Sequence, residues 1–286
     1  MKKFAFKSKY KTPENIRAIL RDSAEKFGDK VVYKYFTTGN EVAEMTYNQL
    51  YASYNYVGTS ISSLGLKKTK IAIVSDNRPE WIISYAAIIG SGSVVIPMDK
   101  ELLPYQIEAF LNYADAEAIF CSGAYLEKVL QMNLPNIKYI IDFDNKGSED
   151  PRYISFRKML DNGSDLMEDG NTAFLNSRYD SSKMCALIFT SGTTGTSKGV
   201  MLSQRNLTTS AYDCAAIIDA DDKDFLISDS IITFTDTNGK LMALKPDVTF
   251  SILKNSKFAP GSVQRYYYNE NVYRVSKDTQ AFKEIM

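Results

Sequence analysis

Apolar positions in this chain alternate between short uninterrupted runs and runs spaced three or four apart. Residues 70–75, 94–97, 118–121, 139–143 and 184–190 are short runs rich in Val, Ile, Ala and Phe, the length and content of buried strands. Between them, 79–89, 104–114 and 124–132 carry apolar residues at helical spacing. Pro79 and Pro104 stand in first turns, where a missing N–H costs nothing. Asp76 or Asn77 is the expected cap of 79–89. Strands alternating with helices predict βαβ units and an α/β fold with a mostly parallel sheet.

Upstream, Thr12 as cap and Pro13 as first helical residue predict a helix through Ile16, Ile19 and Leu20 that stops near Gly28. Residues 31–36 and 41–46 read as two strands joined by a turn at Gly39 and Asn40. Leu50, Tyr54, Val57, Ile61 and Leu64 mark one face of a helix ending at Gly65. Residues 145–180 are polar, with two short helical patches, and read as an excursion over the surface; 204–218 is helical and 224–228 begins another strand. After Ser228 the texture changes. Runs 231–235 and 240–244 flank Thr237, Asn238 and Gly239, and runs 264–268 and 272–275 flank Asn269, Glu270 and Asn271. Residues 245–255 read as a helix beginning at Pro246. The expectation is an α/β domain over 1–228 followed by a small antiparallel α+β fragment over 229–286.

Composition narrows the chemistry. Lys plus Arg equals Asp plus Glu at 34 each, so there is no basic excess of the kind a nucleic-acid or membrane-surface binder needs. The chain has no histidine, which excludes an imidazole base, nucleophile or metal ligand. Cys121, Cys185 and Cys214 are far apart in apolar surroundings and read as buried thiols of a reducing, cytoplasmic compartment. The basic start is followed by no apolar run and does not read as a signal peptide. The uncharged stretch 81–98 is broken by Gly90, Gly92 and Pro97 and reads as helix, turn and strand rather than a membrane span.

The strongest chemical signal is the stretch ALIFTSGTTGTSKGVML at 186–202. Between Thr190 and Gly199, every residue but Lys198 is Gly, Ser or Thr. Gly192 and Gly195 let the backbone curl so that several N–H groups point at one anion. Thr190, Ser191, Thr193 and Thr194 add hydroxyls, and Lys198 a point charge. A flexible linker would have polar flanks, whereas here a buried strand precedes the loop and an apolar turn, 200–202, follows it. The expected ligand is a polyphosphate held by Thr190, Ser191, Gly192, Thr193, Thr194, Gly195 and Lys198. The motif is not that of P-loop NTPases, because Ser197 stands where the glycine before the lysine would be, and no dinucleotide G-x-G-x-x-G occurs.

This loop resembles the signature of the adenylate-forming (AMP-dependent synthetase/ligase) superfamily, with Ser197 where the usual form has proline. Residues 46–50, KIAIVSDNRPEW at 70–81 and AAIIGSGSVVIPMD at 86–99 look like that family's early core elements, in order. The resemblance covers about 13–228, and Arg78, Pro79, Glu80 and Trp81 point to the long-chain fatty-acyl-CoA ligase branch. It implies an acid–thiol ligase that joins a carboxylate to AMP from ATP and passes the acyl group to coenzyme A. It maps 190–198 onto the grip on the β- and γ-phosphates, with Lys198 as catalytic residue. It also implies Mg2+, but the family's metal-binding Glu, adenine and ribose contacts and lid lysine have no counterpart recognised here. The expectation is a truncated form with little activity alone.

The last stretch resembles something else. FTDTNGKLMALKPDVT at 234–249 and RYYYNENVYRV at 265–275 look like the class II histidyl-tRNA synthetase fold. The nearest likeness is the regulatory subunit of ATP phosphoribosyltransferase, whose partner is that enzyme's catalytic subunit. Pro246, Asp247 and Thr249 match the part that meets histidine, and Arg274 the arginine that meets ATP in true synthetases. Two incomplete pieces joined near Ser228, as in a truncated fusion, is the expectation.

Overall fold

The computed structural model describes residues 13–37, 41–190 and 198–218 and four short strands at 233–235, 241–243, 272–275 and 282–285. Its contacts divide the chain into two units, one of residues 12–211 and one made of the rest. The expected boundary at Ser228 and the expected strand 224–228 lie outside the described residues.

The first unit opens with α1 (Ile16–Phe27), the antiparallel pair β1 (Val31–Phe36) and β2 (Val42–Thr46), and α2 (Tyr47–Ser63). A reciprocal cap starts α2: Gln49 N–H donates to Thr46 Oγ1 at 3.2 Å, and Thr46 N–H donates to Gln49 Oε1 at 2.8 Å. The alternation then follows: β3 (Lys70–Val74), α3 (Pro79–Gly90), β4 (Val94–Pro97), α4 (Pro104–Tyr113), β5 (Ala118–Cys121), α5 (Gly123–Gln131) and β6 (Tyr139–Asp142). It continues with β7 (Tyr153–Ser155), α6 (Phe156–Glu168), β8 (Met184–Thr190) and β9 (Lys198–Ser203), and α7 (Gln204–Ile218) begins in this unit. The seven strands from β3 form one sheet in the order β7-β6-β5-β3-β4-β8-β9, parallel throughout except for the β8–β9 pair.

Unbroken apolar strands need cover on both faces, and two cores supply it. Ile71 and Ile73 of β3 face Tyr54 and Ile61 of α2, Ile83 and Ile88 of α3, and Phe156 and Met159 of α6. Ala72 and Val74 face Ile107 and Leu111 of α4 and Leu126 and Val129 of α5. The period of two along the strand sends neighbouring residues to opposite layers. The α/β expectation therefore holds, and 81–98 is helix, turn and strand as read. Among the described residues no helix is long and apolar enough to cross a membrane.

Four local expectations are corrected. Helix α1 starts at Ile16, not at Pro13, because Asn15 caps it: its Oδ1 accepts from Ala18 N–H at 2.9 Å. Neither Asp76 nor Asn77 caps α3. Arg78 holds the cap position without a side-chain bond, and Asp76 pairs with Lys100 at 3.2 Å instead. Residues 145–180 are no surface excursion. Strand β7 extends the sheet, α6 packs on α2, and Phe156, Met159 and Phe174 are buried. Their apolar positions are sparse because α6 shows only one narrow stripe to the core. Finally, 200–202 is not an apolar turn but part of strand β9, with Val200 and Met201 41% and 70% exposed.

In the second unit, β10 (Thr233–Thr235) and β11 (Leu241–Ala243) pair antiparallel with Thr233 opposite Ala243, as the hairpin reading expects. β12 (Val272–Val275) pairs with β13 (Phe282–Ile285). Its expected partner, 264–268, and the expected helix 245–255 lie outside the described residues.

Candidate functional site

Strand β8 carries the phosphate motif to the carboxyl end of the sheet. It runs parallel to β4, with Ala186 beside Val95, so Thr190 lies at the same end as the C-termini of β3, β4 and β5. That edge of an open α/β sheet is where ligands bind. Burial fades along the strand: Cys185 and Ala186 are buried, Leu187 to Phe189 partly so, and Thr190 is exposed. The apolar run thus anchors its first half and delivers its end to solvent.

Thr190 and Lys198 form the last rung of the β8–β9 pair, and Thr190 Oγ1 donates to the Lys198 carbonyl at 3.4 Å. Ser191, Gly192, Thr193, Thr194 and Gly195 lie outside the described residues. The rung puts the hydroxyl and the ammonium at the two ends of one seven-residue span, 191–197, that contains no acidic residue. Lys198 is exposed and has no ion-pair partner among the described residues. A free cation beside a hydroxyl, at the carboxyl edge of the sheet, suits a polyphosphate.

A concavity at this end of the sheet is built differently. A cavity of about 710 Å³ lies between β1 and the loops after β3 and β6, lined by Tyr35, Asn77, Arg78, Glu80, Phe143 and Asp144 among others. Its cations are spent: Arg78 binds Glu80 at 2.9 Å and Asp144 at 2.6 Å, and Lys34 binds Glu44 at 2.8 Å. Burial opposes ionisation of Asp144, but the Arg78 guanidinium and the Gly123 N–H at 2.6 Å outweigh it and hold the carboxyl below its ordinary range. Burial also works against the Arg78 charge, and the bonds to Glu80 and Asp144 raise its pKa regardless. Arg78 therefore ties the start of α3 to the loop after β6. The sequence offers Arg78 to Trp81 as a helix start and a family likeness, and gives no sign of the tie to Asp144. Asp144 has no local signature, since it lies 66 residues away.

Other groups are poor chemical candidates. Cys121 and Cys185 are free and buried, as expected, and burial pushes both thiols up, Cys185 to about 12. The side chain of Cys214 lies outside the described residues. Among the described residues no group of three or more Cys, Asp or Glu side chains converges as a protein-only metal cage requires.

Comparison with known proteins bears on the family and the fold. Over 172 residues the chain is 31% identical to fatty acyl-CoA synthetase A of Dictyostelium discoideum, covering 57% of this chain and 25% of that protein. Over 211 residues it is 26% identical to a long-chain-fatty-acid–CoA ligase of Bos taurus, covering 70% of this chain and 28% of that protein. The chain thus spans about a quarter of the length of the curated relatives it matches. Among solved structures, a long-chain-fatty-acid–CoA ligase of Archaeoglobus fulgidus superposes with a TM-score of 0.62 at 18% identity, covering 78% of this chain and 43% of that one. The anthranilate–CoA ligase AuaEII, solved with anthranoyl-AMP, superposes at 0.57 and 22% identity over 69% of this chain and 36% of that one. At those identities the structures establish the fold. The family model for AMP-binding enzymes matches residues 20–237, past Ser228, and this chain belongs to that family of adenylate-forming enzymes.

Proposed function

We propose that the chain supplies the pyrophosphate-gripping part of an ATP-dependent carboxylate–CoA ligase acting on fatty acids. In the first half-reaction a carboxylate oxygen bonds to the α-phosphorus of ATP. The bond from that phosphorus to the bridging oxygen breaks, and pyrophosphate leaves with the electron pair. Negative charge grows on the leaving group, so donors aimed at it favour the transition state over the ground state. Lys198 takes that role, joined by the hydroxyl of Thr190 once it turns from the Lys198 carbonyl to the phosphate, with Ser191, Gly192, Thr193, Thr194 and Gly195 completing the cradle. In the second half-reaction the thiol of coenzyme A attacks the acyl carbon and AMP departs. The fatty-acid substrate is inferred from the names of the relatives and from Arg78 to Trp81. The observation that carries the reading is the exposed Lys198, without an ion-pair partner among the described residues, in register with Thr190 at the carboxyl edge of the sheet.

The test is ATP binding by calorimetry. A charge-assisted contact is worth about 1.5–3 kcal/mol, so Lys198→Ala is expected to weaken ATP binding about tenfold to a hundredfold. Arg274→Ala should leave it unchanged. The reverse pattern would favour the second reading, a histidine-biosynthesis regulatory-subunit-like or class II synthetase-like module over 229–286. That alternative rests on the sequence resemblance of 234–249 and 265–275 alone.

A further inference from the structure

The rung that carries Lys198 is held from outside the hairpin. The ring of Phe189, the residue before Thr190, lies on the ring of Phe110 in α4 with centroids 4.4 Å apart and planes within 5°. Tyr113, one turn further along α4, meets the same Phe189 ring edge-on at 6.1 Å. Across the hairpin Phe189 stands opposite Gly199, the residue after Lys198. Gly199 has no side chain, and a β-carbon there would meet Leu187 Cδ1 at 3.0 Å and Phe189 Cε1 at 3.8 Å. The Phe189 ring therefore sits between Phe110 and the backbone next to Lys198. Among the described residues β9 has no neighbour on its other side, and its Val200 and Met201 are exposed. An edge strand held on one side frays most readily at its end, and here that end is Lys198.

We infer that Phe110 is a positioning residue for the phosphate grip: through Phe189 it fixes the Phe189–Gly199 rung and so the place of the Lys198 ammonium. The inference rests on the proposed role of Lys198, and its test separates the two. The same geometry gives α4 a second task beyond covering the sheet. Whatever shifts α4 shifts the Phe189–Gly199 rung with it.

The experiment measures ATP affinity of the full chain in a double-mutant cycle. Phe110→Leu keeps an apolar side chain but removes the stack, a loss equivalent to about threefold to tenfold in affinity. Phe110→Tyr keeps the stack and is expected to bind ATP as the parent does. In a Lys198→Ala background, Phe110→Leu should cost nothing further, because the group it positions is gone. A general loss of structure would weaken both backgrounds alike and would not be restored by tyrosine. If Lys198→Ala weakens binding while Phe110→Leu does not, the inference fails and the phosphate reading stands. If Phe110→Leu costs the same in both backgrounds, the inference likewise fails. If Lys198→Ala has no effect, the phosphate reading itself is overturned, and the inference with it.

Discussion

Replacing Arg17 with alanine is expected to destabilise the 12–211 unit by about 3–4 kcal/mol. Arg17 is a bracket between four segments. Its Nη1 donates to the carbonyls of Leu175 and Ser177 at 2.8 and 2.7 Å, and its Nη2 to the Gly90 carbonyl at 2.9 Å and to Ser177 Oγ at 2.7 Å. Its Nε donates to the buried Tyr54 hydroxyl at 3.2 Å, and the guanidinium lies 4.9 Å from the centre of the Phe174 ring. These acceptors lie on α2, the end of α3 and the stretch after α6. Removing the guanidinium strands several carbonyls at once, each costing about 1–3 kcal/mol if water cannot reach it. Lysine recovers little, since one ammonium cannot span acceptors that a planar fork spans. Trp81 is the only tryptophan, and it stacks on Tyr85 within this unit. Its fluorescence during urea unfolding therefore reports this unit. A midpoint lowered by about 1 M or more is expected for Arg17→Ala and Arg17→Lys alike. An unchanged midpoint for alanine would show that the bracket contributes nothing.

The second large effect is Gly163→Ala. Two opposing terms meet at this position. Alanine is favoured over glycine in a helix by about 1 kcal/mol. Yet a β-carbon on Gly163 of α6 would stand 1.9 Å from the carbonyl oxygen of Tyr56 and 2.7 Å from its Cα. Both are backbone atoms of α2, so no side chain can rotate away and the helices must separate. The contact is pinned on either side. Asn162 Nδ2 donates to Ser60 Oγ at 2.9 Å, and Met159 is buried beside Ser60. Overpacking against a fixed backbone costs about 3 kcal/mol or more and outweighs the helix term, leaving a net loss of about 2–3 kcal/mol. The same Trp81 measurement checks the sign. A stabilised variant would mean that helix propensity wins. Gly65→Ala serves as a contrast: nothing lies within 4 Å of its β-position, and only its φ of +74° resists, a strain of about 1 kcal/mol.

These two residues show where reading the chain in one dimension stops. Gly163 lies in a polar segment and looks like a weak point in a helix. Its value comes from Tyr56, more than a hundred residues earlier. Arg17 looks like any charged residue on an amphipathic helix. The strands β3, β5 and β8 were legible because an apolar run bounded by glycines or polar turns is a local signal, and the helices α3 and α4 because Pro79 and Pro104 mark their starts. Strand β7 was not. Three half-buried residues at the sheet edge carry too little periodicity to stand out.

By itself the sequence determined the class of fold and marked the loop as a candidate for binding a polyanion. Both follow from short-range patterns: hydrophobic runs alternating with helical spacing, and a stretch of Gly, Ser and Thr that ends in one lysine and suits a polyanion whatever surrounds it. The tertiary structure decided which end of the sheet receives that loop, and that its last rung pairs Thr190 with Lys198. It also decided that the Arg78 charge is spent on Glu80 and Asp144 while Lys198 has no ion-pair partner among the described residues, and that Phe110 reaches Phe189. Each of these depends on residues far apart in the chain. Such contacts arise only when packing two faces of one sheet brings separate segments together, and no local pattern encodes the partner.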